Sequence, residues 1–155
     1  MAQDQNVAAF LMLIRKCEGT AGPDGYRALF GYPAPGRTFT SFADHPRRKF
    51  PFTQTDGVVN YTTAAGAYQF IRWTWDRLQS RLKLPDFSPE SQDKAAMELI
   101  ADAHAMADVK AGRVQEALDK CSSIWASLPA SHYPQPKRSL QYALDAYSDA
   151  GGSLA

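Results

Sequence analysis

Val7-Ala8-Ala9-Phe10-Leu11-Met12-Leu13-Ile14-Arg15-Lys16-Cys17-Glu18-Gly19-Thr20 is the stretch on which the reading of the fold turns. Val7, Phe10, Leu11 and Ile14 fall at i, i+3, i+4 and i+7, the spacing of one helical face. Asp4 or Asn6 can cap this helix, Gly19 stops it, and Gly22-Pro23-Asp24-Gly25 confirms the break. Glu18 follows Ile14 by four residues and Leu11 by seven, so it continues the apolar stripe. A carboxyl there is poorly solvated and sits in the last turn, at the negative end of the helix dipole. Both conditions disfavour its charged form. A carboxylic acid that keeps its proton near neutral pH is suited to general acid catalysis. A glutamate that bends into water at a frayed helix end has the same spacing, so periodicity leaves both readings open.

Outward from this helix the character of the chain changes. Residues 20 to about 62 hold many of the glycines and prolines, with β-prone pieces at Arg37–Phe42 and Val58–Tyr61. A small sheet or hairpin with loops is predicted there. From residue 67 the pattern is helical again, with Ile71, Trp75, Leu78 and Leu82 on one face, until Leu84-Pro85-Asp86-Phe87 breaks it. Ser88-Pro89 reads as an N-cap and first helical residue, opening a helix through Ala95, Met97, Leu99 and Ile100 towards Met106. Val114, Ala117, Leu118 and Cys121 mark a short helix. Leu140, Ala143, Leu144 and Tyr147 mark a last one, closed by Gly151-Gly152. The predicted fold class is α+β: a mostly helical single domain over residues 1–155, with a β-rich insert at about 20–62. A β-rich lobe beside a helical one is expected to flank a substrate cleft.

The composition narrows the function classes. A chain of 155 residues with 45% hydrophobic and 21% charged residues is one domain's worth and can build a core without disulfides or a metal. Lys plus Arg number 17 against 16 Asp plus Glu, a net charge of +1 that excludes a strongly basic nucleic-acid binder. No apolar run is long enough for a transmembrane helix, so no stable membrane insertion is expected. The polar start Met1–Asn6 lacks the features of a secretory signal, so the chain is expected to begin in a cytoplasm. Cys17 and Cys121 read as reduced, buried thiols. His45, His104 and His132 are the three histidines, and none sits at HExxH-like spacing. A zinc amidase or peptidase is therefore disfavoured, and neither metal nor cofactor is expected.

Several ordered motifs resemble one family. Lys16-Cys17-Glu18-Gly19-Thr20 is similar to the catalytic Glu-Gly-Thr segment of the phage lambda lysozyme family. Asp44-His45-Pro46-Arg47 is similar to that family's Asp-His-Pro-Arg segment. Ala65-Gly66-Ala67-Tyr68-Gln69-Phe70 with Arg72-Trp73 and Trp75-Asp76 resembles its Gly-x-Tyr-Gln stretch and following helix. Asp86-Phe87-Ser88-Pro89 and Cys121-Ser122 with Ile124–Pro129 resemble later segments. Together the matches run from about residue 8 to the Ala150-Gly151-Gly152 end, while residues 21–36 and 49–62 depart from the lambda pattern.

The resemblance implies a lysozyme-like endolysin that acts on peptidoglycan glycan strands as a lytic transglycosylase, with Glu18 as its one catalytic carboxyl. It also implies a monomer whose passage to the wall in the periplasm depends on a separate pore-forming holin. Asp24, Asp44 and Asp56 are the second acids that an ordinary two-carboxylate glycosidase would need. Gln69 and its neighbour Tyr68 are expected to contact sugar, Gln69 through its amide. Tyr133 and Gln135 resemble the family's cleft-lining Tyr-x-Gln, and Tyr26 and Tyr61 are expected sugar platforms. Trp73, Trp75 and Trp125, at helical spacing, read as core. Asp44–Lys49 reads as a solvated loop in which Asp44 caps a turn and orients His45, with attraction to acidic peptide stems or wall polymers as the alternative. A hydrolytic muramidase and a non-catalytic wall-binding module remain the rival functions.

Overall fold

A computed structural model of the chain describes residues 1–133 and 136–155. The first helix, α1, spans Ala2–Glu18. A short 3-10 turn at Gly25–Arg27 leads to strands β1 (Phe50–Thr53) and β2 (Val59–Thr62). Helices α2 (Arg72–Leu82), α3 (Pro89–Asp102), α4 (Met106–Ala111), α5 (Val114–Cys121) and α6 (Leu140–Asp149) follow. The architecture is mostly helical with one small antiparallel sheet, as predicted. Two compact units emerge. One comprises Met1–Cys17 with Met97–Ala155, and the other Glu18–Ala96.

In the first unit the buried face of α1 is made by Ala9, Phe10, Leu13, Ile14 and Cys17. Asn6 does not cap this helix, which begins at Ala2. Its side chain instead donates to the Lys110 carbonyl at 3.1 Å and accepts from the Ser153 backbone N–H at 2.9 Å. A buried amide with two such partners ties the two ends of the chain together, and that use outweighs capping. α6 begins with a side-chain cap, the Ser139 hydroxyl accepting from the Tyr142 N–H at 3.1 Å. Trp125 and both cysteines are buried, and the cysteines are unpaired with each other. Asp108 anchors this unit's surface, its carboxylate meeting Lys120 Nζ at 2.6 Å and Arg113 Nε at 2.8 Å.

The second unit is built on aromatic packing. Trp75 meets Phe87 edge-on with ring centroids 4.6 Å apart, and Phe70, Phe39 and Tyr68 extend the cluster. Such pairs add about 0.5–1.5 kcal/mol each beyond the area they bury. The expected strand at Arg37–Phe42 is not one. It runs extended beside Ala28 with a single bridge, Ala28↔Thr38; among the described residues two backbone bonds, Leu29 N–H to Arg37 O and Phe39 N–H to Arg27 O, join the two segments, too few for a ladder. Residues 67–71 are not helical either. The chain makes a tight reversal at Gly66–Gln69, closed by reciprocal Ala65–Phe70 backbone bonds, and α2 starts only at Arg72. Ile71 is consequently exposed rather than part of the buried face formed by Trp75 and Leu78.

Trp73 also departs from the core reading: it is 68% exposed, while Trp75 is 0% and Trp125 3%. Two residues on a helix are about 200° apart around the axis, so Trp73 and Trp75 cannot share one face.

Candidate functional site

The last residue of α1 is Glu18, and Gly19 after it adopts φ of 78°, the left-handed conformation that ends helices. Glu18 is half-buried at this end. Thr20 is buried, and its hydroxyl donates to the Ala67 carbonyl. That bond fastens the segment leaving Glu18 onto the Gly66–Gln69 reversal, so the two motifs singled out in the sequence lie together.

The reversal is held by a residue that sequence reasoning missed. Gln92, on α3, is fully buried. Its Oε1 accepts from the Ala67 N–H at 2.9 Å, and its Nε2 donates to the Tyr26 carbonyl at 3.0 Å and the Phe87 carbonyl at 2.8 Å. Gly66 has φ of 82°, and a Cβ there would overlap the Gln92 amide and come within 2.9 Å of Phe87 Cζ. Glycine is therefore demanded twice, by backbone conformation and by space. The partners of Gln92 lie 5, 25 and 66 residues away in sequence, so no local pattern signals its role.

Gln69, also in the left-handed region with φ of 51°, folds its amide back so that Nε2 donates to the Gly66 carbonyl at 2.9 Å. This fixes the side chain and leaves Oε1 as an acceptor for an N–H or O–H donor. Tyr68 is not an open sugar platform. Its ring is 1% exposed, and its hydroxyl donates to Asp93 Oδ1 at 2.6 Å. Burial, with the nearby Asp93 carboxylate, pushes the Tyr68 phenol well above its ordinary value. The Tyr26 hydroxyl reaches the same Asp93 oxygen at 2.9 Å, and the Tyr26 and Tyr68 rings meet edge-on. Tyr68 and Asp93 thus position the reversal, with half-buried Tyr26 on its flank.

The remaining sequence candidates lie elsewhere. Tyr61, on β2, is 58% exposed, with Lys49 Nζ 4.9 Å from its ring centroid. Tyr133 belongs to the first unit, exposed, its hydroxyl donating to the Ser123 carbonyl at 2.6 Å. Gln135 lies outside the described residues. Of the candidate second acids, Asp44 accepts from the His45 N–H at 2.8 Å and pairs with Arg47, and Asp56 caps the hairpin turn through the Val58 N–H at 3.0 Å. Asp24 is exposed at the start of the 3-10 turn.

Asp44 caps its turn as expected, but His45 is buried rather than solvated. Its Nδ1 accepts from the Arg47 N–H at 2.9 Å, which assigns the proton to Nε2, 2.7 Å from the Phe70 carbonyl. The imidazole clips the 44–47 loop to the segment leaving the reversal. Burial lowers its pKa from the ordinary 6.5, the Phe70 hydrogen bond opposing. Among the described residues no group of three or more His, Cys, Asp or Glu could hold a metal ion, and no helix is long and apolar enough to cross a membrane.

Comparison with known proteins finds relatives over nearly the whole chain. The chain is 38% identical to the endolysin of Escherichia phage P2, over 96% of this chain and 94% of that protein. It is 34% identical to the endolysin of Escherichia phage lambda, over 94% and 91% respectively. Its fold matches bacteriophage lambda lysozyme complexed with a chitohexasaccharide at a TM-score of 0.87 and 33% identity, covering 97% of both chains. A second structure of lambda lysozyme matches at 0.81 and 32% identity. The family model described as Endolysin spans residues 8–154, and with Glu18 and the Gly66–Gln69 reversal inside that span the chain belongs to the endolysin family.

Proposed function

We propose that this endolysin acts as a lytic transglycosylase, cutting the β-1,4 bond between N-acetylmuramic acid and N-acetylglucosamine in peptidoglycan. Glu18 protonates the glycosidic oxygen as the bond from the anomeric carbon breaks. The substrate's 2-acetamido group stabilises the resulting sugar cation. The Glu18 carboxylate then takes the proton of the muramoyl 6-hydroxyl, whose oxygen bonds to the anomeric carbon. Glu18 regains its proton, and the product is a 1,6-anhydro sugar formed without water.

The observation that carries this reading is the bond from Thr20, two residues after Glu18, to Ala67 of the reversal that bears the Gln69 acceptor. Gln69 Oε1 would take an N-acetyl N–H or a sugar hydroxyl. Support for a single acid comes from two of the three candidate second acids, Asp44 being held by Arg47 and Asp56 by its own turn, with nearby Asp93 occupied by Tyr68 and Tyr26, while Asp24 lies exposed at the start of the 3-10 turn. The lambda lysozyme match, solved with a chitohexasaccharide, supports a glycan as ligand. Holin-dependent release from the cytoplasm to the wall is part of the same proposal, as the family resemblance implies.

Glu18→Gln removes the acid and keeps the shape. Its lysis rate should fall by roughly 10²–10⁴-fold, the worth of one positioned proton transfer, with wall binding and thermal stability retained. Unchanged lysis would refute the assignment. A hydrolytic muramidase would use the same acid with water as nucleophile, so product mass separates the two.

A further inference from the structure

A second feature of the unit Glu18–Ala96 has no part in the bond cleavage just described. A groove of about 470 Å³ opens between the 47–49 loop, β2 and the start of α2. Three cations line it, Arg47, Lys49 and Arg72, and no carboxylate does. Arg47 is committed in part, its guanidinium held two-pronged by Asp76. Lys49 and Arg72 are not: among the described residues neither has a carboxylate within ion-pair distance. Each instead rests on an aromatic ring, Lys49 on Tyr61 at 4.9 Å and Arg72 on Trp73 at 4.4 Å. Thr62 and Thr63 also line the groove, and their hydroxyl oxygens accept from the Ala64 and Arg72 N–H groups, which leaves both O–H protons to donate. The cations and threonine hydroxyls facing the groove can therefore all donate, while Ile71, Trp73 and Tyr61 supply exposed apolar wall.

Chain connectivity fixes where this groove lies. Thr63 and Arg72 sit on the two stems of the Gly66–Gln69 reversal, joined to each other at 2.9 Å and paired one step further in through the Ala65↔Phe70 bridge. Each is three residues from the reversal, at most about 11 Å of extended chain. A ligand in the groove is thus a short reach from Gln69. In peptidoglycan the group attached to the muramoyl sugar is a peptide rich in free carboxylates with aliphatic side chains.

We infer that this groove is a subsite for the acidic stem peptide of peptidoglycan, with Lys49 and Arg72 pairing its carboxylates and Trp73 and Tyr61 covering its aliphatic parts. Aromatic walls beside cationic donors fit a peptide better than a phosphodiester polymer, which offers charge without aliphatic surface. The inference rests on the reading of the chain as a peptidoglycan-cleaving enzyme, but its binding test does not use the cleavage reaction.

Trp73 is the exposed tryptophan, Trp75 and Trp125 being buried, so its fluorescence reports on the groove. The Glu18→Gln protein is titrated with the tripeptide L-Ala–D-Glu–diaminopimelate, with the same peptide amidated at its carboxylates, and with inorganic polyphosphate. The acidic peptide should change Trp73 emission saturably, and the amidated one should not. Lys49→Gln combined with Arg72→Gln, at exposed positions, should weaken binding about fivefold or more through two lost ion pairs. In the active enzyme the same pair should raise KM on intact peptidoglycan while leaving amidase-stripped glycan strands unaffected. Equal binding of the amidated peptide, preference for polyphosphate, or an equal KM effect on both substrates would overturn the inference. Saturable peptide binding alongside normal lysis by Glu18→Gln would leave the subsite standing and remove the catalytic reading instead.

Discussion

Replacing Gln92 by leucine is the perturbation whose cost follows most directly from the geometry. Leucine fills a similar volume but makes no hydrogen bond. The Ala67 N–H and the Tyr26 and Phe87 carbonyls would each lose the partner now at 2.8–3.0 Å. A buried polar group left unpaired costs about 1–3 kcal/mol, so three such groups at the low end of that range give about 3 kcal/mol. That is a large part of the roughly 5–15 kcal/mol that stabilises a domain. At about 3 °C per kcal/mol for a chain of this size, the melting temperature should fall by about 9 °C. The loss should also loosen the Gly66–Gln69 reversal, so KM on peptidoglycan should rise at temperatures where the variant is still folded. Thermal unfolding followed by circular dichroism, with turnover on purified wall at 20 °C, reads both effects. A fall of less than 3 °C with normal KM would refute the claim that this amide holds the site together.

Two further predictions concern pH. His45 is neutral in the fold with its pKa lowered by burial, so the unfolded chain binds the extra proton first as pH drops. Its contribution is fully present above the ordinary pKa of 6.5 and is lost as pH falls through the folded value. His45→Gln should flatten stability measured between pH 7 and 5, and a wild-type stability that rises on acidification through this window would contradict the account. The Asp108 carboxyl is held below its ordinary 3.8, first by Lys120 and then by Arg113. Its contribution is present above that value and lost as pH falls through the lower, folded one. Asp108→Asn should destabilise the protein at neutral pH and weaken its further loss of stability below pH 4. Parallel wild-type and variant acid curves would argue against that pairing.

What could be read from the residues was whatever depends on near neighbours. The stripe from Phe10 to Ile14, the stop at Gly19, the Ser88-Pro89 start and the last helix marked by Leu140, Ala143, Leu144 and Tyr147 are local patterns, and each appears in the fold. The tie from the segment after Glu18 to the Gly66–Gln69 reversal has no local signal, because Thr20 and Ala67 lie 47 residues apart. Illegible were the choices made by distant partners. Arg37–Phe42 has strand-like residues but too few facing donors and acceptors to form a ladder. His45 and Gln92 look like surface residues until Phe70, Phe87 and Tyr26 are placed around them. The exposure of Trp73 was within reach, since two residues along a helix from buried Trp75 points the other way.

The central claim is that Glu18 alone delivers and recovers the proton while the muramoyl 6-hydroxyl attacks. Mass spectrometry of glycan fragments released from purified peptidoglycan by the wild-type protein tests it most directly. The account predicts muramoyl ends lighter by one water than reducing ends, from the first turnovers onward. Reducing ends that carry oxygen-18 when the digest is run in labelled water would contradict it, because they would show water as the nucleophile.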